Sequence, residues 1–333
     1  MPGEAILNYE EPASGPMKLW PTLAPLARRL VLGPGRSLFF LDSGRSGGVG
    51  RDGRRDSSAA ESLPSLLLIH GLGDEADSWR HLVAPLSRRY RVIAPDLPGF
   101  GRSTWRGGTS LRDCEAAVLA LVAALRLERV VPVGSSLGAA IAQRVAARLG
   151  TAAPGLVLVD GGWPPAPAKR RTRRPAGASS REASMLSMLL PIRGERRYTA
   201  YRRDHPGAIR SLGPYYADFD ALPEEERSFL ARRVIDRVES DSQRRAYFSL
   251  LRSAVLSTIL GRRSYLRDLA ALRCPMLVLW GSEDRVLPRA TADYLCSIAP
   301  AARSVLLEGA GHLPQQDRPA AVLSALEEFL AGL

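Results

Sequence analysis

Between residues 65 and 159 the chain alternates two patterns. Short runs are apolar throughout: Ser65–Ile69, Tyr90–Ala94, Val130–Val133 and Leu156–Val159. Longer stretches carry apolar residues every three or four positions: Trp79–Arg88, Leu111–Leu125 and Leu137–Leu149. Strands with no polar face, alternating with amphipathic helices, predict a parallel sheet covered on both sides. Ser37–Leu41 reads as a first strand. The rhythm stops at Trp163 and resumes with a strand at Met276–Trp280, a helix at Arg289–Ile298, a strand at Ser304–Leu307 and a closing helix at Ala320–Ala331. In between there is no strand-like run. There is a Pro- and Arg-rich entry, Pro164 to Pro175, and helix-like stretches at Arg181–Leu190, Glu224–Glu239 and Ser242–Leu260. The pattern predicts an α/β fold with a mostly parallel, doubly wound sheet. Its core is residues 37–162 and 269–333, with a helical insertion at 163–268.

Residues 1–36 form a leader. Leu19, Trp20, Leu23, Leu26 and Leu30 recur at helix-like spacing, which predicts an amphipathic helix packed on the domain. Ser43–Ser62 is rich in Gly, Ser, Arg and Asp and reads as an exposed loop.

Composition narrows the class. The 333 residues are 45% hydrophobic and 24% charged, the usual soluble mixture. No apolar run approaches the roughly 20 residues that span a bilayer. Glu4, Glu10, Glu11, the prolines 16, 21 and 25, and Arg28–Arg29 interrupt any secretory pattern in the first 30 residues. Cys114, Cys274 and Cys296 are odd in number and far apart, which suggests neither a disulfide framework nor a metal site. A cytoplasmic enzyme is expected. The net charge of +12 invites a nucleic-acid reading, but only Lys18 and Lys169 are lysines and the arginines are spread along the chain. One dense run, Lys169 to Arg174, stands out. With no nucleic-acid-binding signature, the charge reads as an arginine bias, and attraction to acidic carriers or membrane surfaces as the lesser alternative.

The chemistry centres on Gly134-Ser135-Ser136-Leu137-Gly138, placed between an apolar strand and a helix. A serine on such a sharp turn projects its hydroxyl from the sheet, and the flanking glycines let strand and helix approach. The helix start offers unpaired N–H groups to a developing oxyanion. Ser136 is therefore the candidate nucleophile. It needs a base, and the chain has His70, His81, His205 and His312. His312, in Gly309-Ala310-Gly311-His312 just past the last strand, fits the order nucleophile, acid, histidine. His81 and His205 read as packed or solvated residues. The orienting acid is expected at Asp284, after the penultimate strand, with Asp160 as the alternative and Glu283 as a weaker choice. His70-Gly71-Leu72-Gly73 follows a strand, and its glycines free a backbone N–H. Leu72 and Leu137 N–H are the candidate oxyanion donors, with His70 and Gly71 organising the loop.

Four features in this order resemble the α/β-hydrolase superfamily in its cap-bearing bacterial branch. They are His70-Gly71, Asp96-Leu97-Pro98-Gly99-Phe100-Gly101-Arg102-Ser103, Gly134-Ser135-Ser136-Leu137-Gly138, and Gly281 to Asp284 with Gly311-His312. The resemblance covers about residues 37–333, with 163–268 in the position of the cap. It implies a Ser136–Asp284–His312 triad with no cofactor and no metal, acting on a small-molecule acyl substrate. Relatives that open epoxides or remove halides carry Asp where this chain has Ser136. Ester cleavage through an acyl-enzyme is the leading expectation. Thioester or C–C hydrolysis and acyl transfer on the same triad remain open, as does a non-catalytic binding module with a vestigial triad. Trp163, Met185, Met188, Tyr215, Tyr216, Tyr247 and Phe248 could line the substrate pocket, although helical spacing also suits cap core.

Overall fold

The computed structural model describes residues 5–8, 17–44, 63–164 and 191–333. The expected helix Arg181–Leu190, the basic run Lys169–Arg174, Met185 and Met188 lie outside these residues, as does the expected loop Ser43–Ser62 beyond Gly44.

The strands are β1 Ala5–Asn8, β2 Ala27–Gly33, β3 Arg36–Asp42, β4 Ser65–Ile69, β5 Val92–Pro95, β6 Thr104–Trp105, β7 Val130–Ser135, β8 Leu156–Val159, β9 Met276–Gly281 and β10 Ala302–Leu307. They form one sheet in the order β1-β2-β3-β5-β4-β7-β8-β9-β10, with β6 on β3. From β5 to β10 every pairing is parallel, and β1, β2, β3 and β6 pair antiparallel. The apolar strands alternate faces. Leu67, Ile69, Leu156, Leu158, Val278 and Trp280 enter one core layer. Leu66, Leu68, Val157, Val159, Leu277 and Leu279 enter the other. Both faces are buried, so the strands contain no polar alternation. Helices α2 (Leu111–Ala124) and α3 (Leu137–Leu149) cover the first face. Helix α1 (Arg80–Leu86) and the closing helix Pro319–Ala331 cover the second. Helix α2 starts on a capping box in which Ser110 and Asp113 satisfy each other's backbone N–H.

The leader departs from expectation. Pro21–Leu26 is a 3-10 turn and Ala27–Gly33 is strand β2, paired with β1 and β3, so the described residues of the leader hold no amphipathic helix. Pro21 and Pro25 remove N–H donors a helix would need, and the open edge of β3 offers a ladder instead. Leu19, Leu23 and Leu30 are still buried, so the apolar positions were meaningful even though their period misled.

After β8 the described chain is helical up to β9: α4 Pro191–Ala200, α5 His205–Arg210, α6 Glu224–Glu239, α7 Asp241–Leu260 and α8 Arg262–Ala271. Ala208, Leu212, Tyr216, Leu230, Val234 and Val238 make a separate apolar cluster there. Helix α8 instead packs on α3, with Leu269 in the core layer.

Helix α6 is joined to the core by charge. Glu226 takes Arg80 Nη2 at 2.6 Å and lies 3.0 Å from His81 Nε2. Burial opposes its ionisation, but these partners hold its carboxyl down at about 2 against an ordinary 4.5. A depressed carboxylate adds stability that is complete above its unfolded value and is lost as pH falls through its folded one. Glu226→Gln is therefore expected to cost about 1–3 kcal/mol at neutral pH, allowing for partial solvation. Urea unfolding of both proteins from pH 7 down towards pH 3 checks this. The gap narrows below about pH 4.5, and a pH-independent gap would contradict the assignment.

Candidate active site

Strand β7 ends at Ser135 and helix α3 begins at Leu137. Ser136 between them has φ 53° and ψ −121°. Holding a side chain in that region costs about 1–3 kcal/mol and needs support from all sides. Its N–H donates to the Val159 carbonyl at 2.8 Å. A Cβ on Gly134 would sit 2.3 Å from the Gly138 carbonyl oxygen, and one on Gly138 would sit 2.4 Å from those of Ile69 and His70. Any side chain there would drive strand from helix. Gly161 does the same from the β8 side, where a Cβ would lie 2.2 Å from the Ser136 carbonyl oxygen. Sequence reasoning passed over Gly161, whose signal is the Asp160-Gly161-Gly162 run at the end of β8.

The expected partners meet at the carboxyl ends of these strands. His312 Nε2 lies 2.9 Å from Ser136 Oγ, and its Nδ1 lies 2.9 Å from Asp284 Oδ2. Asp284 Oδ1 accepts the N–H groups of Val286 (2.7 Å) and Leu287 (3.0 Å). Burial works against ionisation of Asp284, yet His312 and these N–H groups hold its carboxyl below the usual range. An ionised Asp284 must accept at Nδ1–H. That leaves the Nε2 lone pair for the Ser136 hydroxyl. The His312 loop is clamped by Asp317, whose Oδ2 accepts the N–H of Gly311 (2.9 Å) and of Ala217 (3.0 Å). Nothing in the sequence around Asp317 suggested this.

Asp160, the alternative acid, faces Asp284 and makes no hydrogen bond to His312. It is fully buried, with φ 42°, and its Oδ1 accepts Gly281 N–H at 2.8 Å. Among the described residues its Oδ2 has no donor partner. Burial, and then the Asp284 carboxylate, push it well above the ordinary carboxylate range. Two buried carboxyls this close favour one acid and one carboxylate, and burial together with the Asp284 charge favours the protonated form at Asp160. Asp160, Asp284 and His312 also form the only cluster of metal-ligand atoms among the described residues, all within 4.8 Å. Both His312 nitrogens are already engaged there, by Asp284 and Ser136.

His70 sits in the loop as expected. Its Nε2 accepts Leu97 N–H at 2.8 Å, which leaves the proton on Nδ1 to donate to the Gly71 carbonyl, also at 2.8 Å. A Cβ on Gly71 would lie 3.1 Å from Ser136 Cβ, so this loop lies against the elbow. No hydrogen bond among the described residues uses the N–H of Leu72 or Leu137. His81 and His205 pair with Glu226 and Glu239, away from Ser136. Glu283 is exposed, and its N–H donates to Ala310 O.

Above Ser136 and His312 lies a cavity of about 560 Å³. Tyr198, Tyr201, Tyr215, Tyr216, Tyr247 and Phe248 line it, beside Leu72. Four of these were among the sequence candidates. Trp163 instead packs on the core layer. Arg237 reaches the cavity from α6 and lies 3.2 Å from Glu75 and 3.8 Å from Asp74.

Residues 66–325 match the alpha/beta hydrolase family, and the chain belongs to it. An uncharacterized protein of Mycobacterium tuberculosis is 30% identical over 289 residues, covering 83% of this chain and 78% of that protein. A pimeloyl-[acyl-carrier protein] methyl ester esterase of Edwardsiella ictaluri is 29% identical, covering 80% and 93%. In structure, a putative lipase of Acinetobacter baumannii superposes with a TM-score of 0.68 at 22% identity, covering 92% of this chain and 91% of that one.

The protonation of Asp160 has a direct test. Asn keeps the acceptor for Gly281 N–H and donates to Asp284, and it tolerates a positive φ. Ala strands the buried N–H, at about 1–3 kcal/mol. Urea unfolding should place Asp160→Asn at or above wild type and Asp160→Ala well below it. Equal losses in both would remove the proton from Asp160.

Proposed function

We propose that this protein is a serine hydrolase that cleaves a carboxylic ester or related acyl bond through an acyl-enzyme on Ser136, with His312 as base and Asp284 as its orienting acid. The observation that carries the reading is the continuous relay Asp284–His312–Ser136, at 2.9 Å for each link, opening into an aromatic-walled cavity. His312 takes the Ser136 proton through Nε2 while Asp284 stabilises the imidazolium that forms. The alkoxide adds to the substrate carbonyl. The charge on its oxygen falls to the N–H groups of Leu72 and Leu137, aided by the positive end of α3. Collapse of the adduct expels the alcohol, protonated by His312, and water then repeats the sequence to release the acid.

Residues 163–268 act in this reading as a cap that supplies the cavity wall. Ser136 in place of Asp argues against epoxide and halide substrates, because an alkyl ether on serine has no carbonyl for water to attack. The esterase and lipase names among the similar proteins agree with acyl chemistry.

A fluorophosphonate probe is expected to label the wild type and not Ser136→Ala. Asp284→Asn should keep the fold and lower kcat on a p-nitrophenyl ester by about 10⁴-fold, since the wrong tautomer of His312 then faces Ser136. A folded wild-type protein that neither takes the probe nor turns over short esters, thioesters or vinylogous diketones would sink the proposal.

A further inference from the structure

Helix α7 has two unlike faces. Gln243, Ala246, Leu250 and Ala254 point inward and are buried. On the other side, Leu256, Ile259 and Leu260 are 56%, 70% and 81% exposed, the largest such values among the described apolar side chains. They lie together in the last turn, at i, i+3 and i+4. Arg252 precedes Leu256 by one turn on the same face, and Arg263 and Arg267 follow on α8. All three arginines are exposed, and none has an acid within ion-pair distance among the described residues. From Ser242 to Arg267 the chain has six arginines and no Asp or Glu. Protruding aliphatic side chains, with an exposed arginine one turn before them and two more on the helix that follows, are costly in water and unexplained by packing within the described structure.

We infer that the α7–α8 corner is a docking surface for an anionic lipid bilayer, with Leu256, Ile259 and Leu260 entering the headgroup–acyl boundary and Arg252, Arg263 and Arg267 meeting lipid phosphates. Charge decides the occupant. A second copy would bring the same cations face to face. Residues 165–190, with Lys169 and Arg170, Arg171, Arg173, Arg174 and Arg181 against Glu182 alone, would add like charge to the arginines, and covering of the patch by their apolar stretch 185–190 is one outcome of the test. An anionic surface supplies both what the arginines and what the aliphatic side chains lack. About 18 Å of helix separates Ile259 from Tyr247 in the cavity wall, at 1.5 Å per residue. The bilayer therefore holds the protein by one end of a helix whose other half borders the proposed substrate site. The inference stands apart from the hydrolytic reading, because its readout is binding.

The test is flotation of the full chain with phosphatidylcholine vesicles, with and without phosphatidylglycerol, at low and at physiological salt. Wild type should float only with the anionic vesicles. Arg252→Gln/Arg263→Gln/Arg267→Gln should weaken partitioning by about a hundredfold, at about fivefold per charge. Leu256→Gln/Ile259→Gln/Leu260→Gln should weaken it at least tenfold, leave only salt-sensitive attachment, and keep the wild-type Tm. Wild type that does not float, or variants that float as well as wild type, would overturn the inference. So would a fall of several degrees in Tm for the glutamine triple variant, which would mean that the chain itself covers the patch. A wild-type dimer that the same variant makes monomeric would assign the surface to a second copy instead.

Discussion

One constraint underlies the site: three backbones must nearly touch where β7 turns into α3. Gly134 against Gly138, and Gly138 against the Ile69 and His70 carbonyls, leave no room for a Cβ. Only that closeness lets Ser136 hold its left-handed conformation with its N–H bonded to Val159. The sheet order matters equally. From β4 the chain goes first to β5 on one side and later to β7 on the other. The crevice at that reversal is where the loop after β4 meets the elbow after β7, the usual place for ligands in an open parallel sheet. Both loops begin on strands buried on both faces, so the geometry at Ser136 inherits the rigidity of the core.

A second constraint is electrostatic and ties the helical segment to that core. Asp77 is fully buried and accepts Arg233 from α6 at 2.7 Å, the Trp20 N–H at 2.7 Å, and Arg102. Burial opposes its charge, but Arg102 and Arg233 hold the carboxyl below the usual range. Arg102 also donates to Asp96 at 2.9 Å, and Asp96 accepts Ala76 N–H. Leader, the loop after β4, the loop after β5 and helix α6 thus converge on a few buried charges. Such a network adds little net stability over apolar packing, but removing one member strands the others. Its consequence is a fixed seat for α6, and so for the cavity wall that α6 carries.

The parallel sheet and its helices were legible because burial on both faces writes unbroken apolar runs such as Leu156–Val159. Ser136, Asp284 and His312 were legible because each follows a strand and the glycines around it are costly to do without. The leader was misread because Leu19, Leu23, Leu26 and Leu30 fit a helical period, while the edge of β3, absent from any local pattern, decided for a strand. Gly161 was passed over despite its glycine run, and Asp317 and the Asp77 network could not be read. Each acts through residues far away in the chain: Asp317 on Ala217, and Asp77 on Arg233. Tyr215 and Tyr247, read either as pocket lining or as packed core, do both, since each walls the cavity and also packs on its neighbours.

That double duty bears on how the cavity and the relay are connected. Tyr215 walls the cavity, and its carbonyl accepts Leu313 N–H at 3.1 Å, one residue past His312. Its ring centroid lies 5.8 Å from that of His312. Two residues further on, Ala217 N–H shares the Asp317 carboxylate with Gly311 N–H. The segment that shapes the space for substrate therefore also fixes the backbone on either side of the proposed base. A change in this wall cannot be confined to substrate fit, because a shift of the Tyr215–Ala217 backbone moves both anchors of His312. A base displaced by even an ångström loses much of its effect on a nucleophile already held at hydrogen-bonding distance. Specificity and rate are built here on one short stretch of chain.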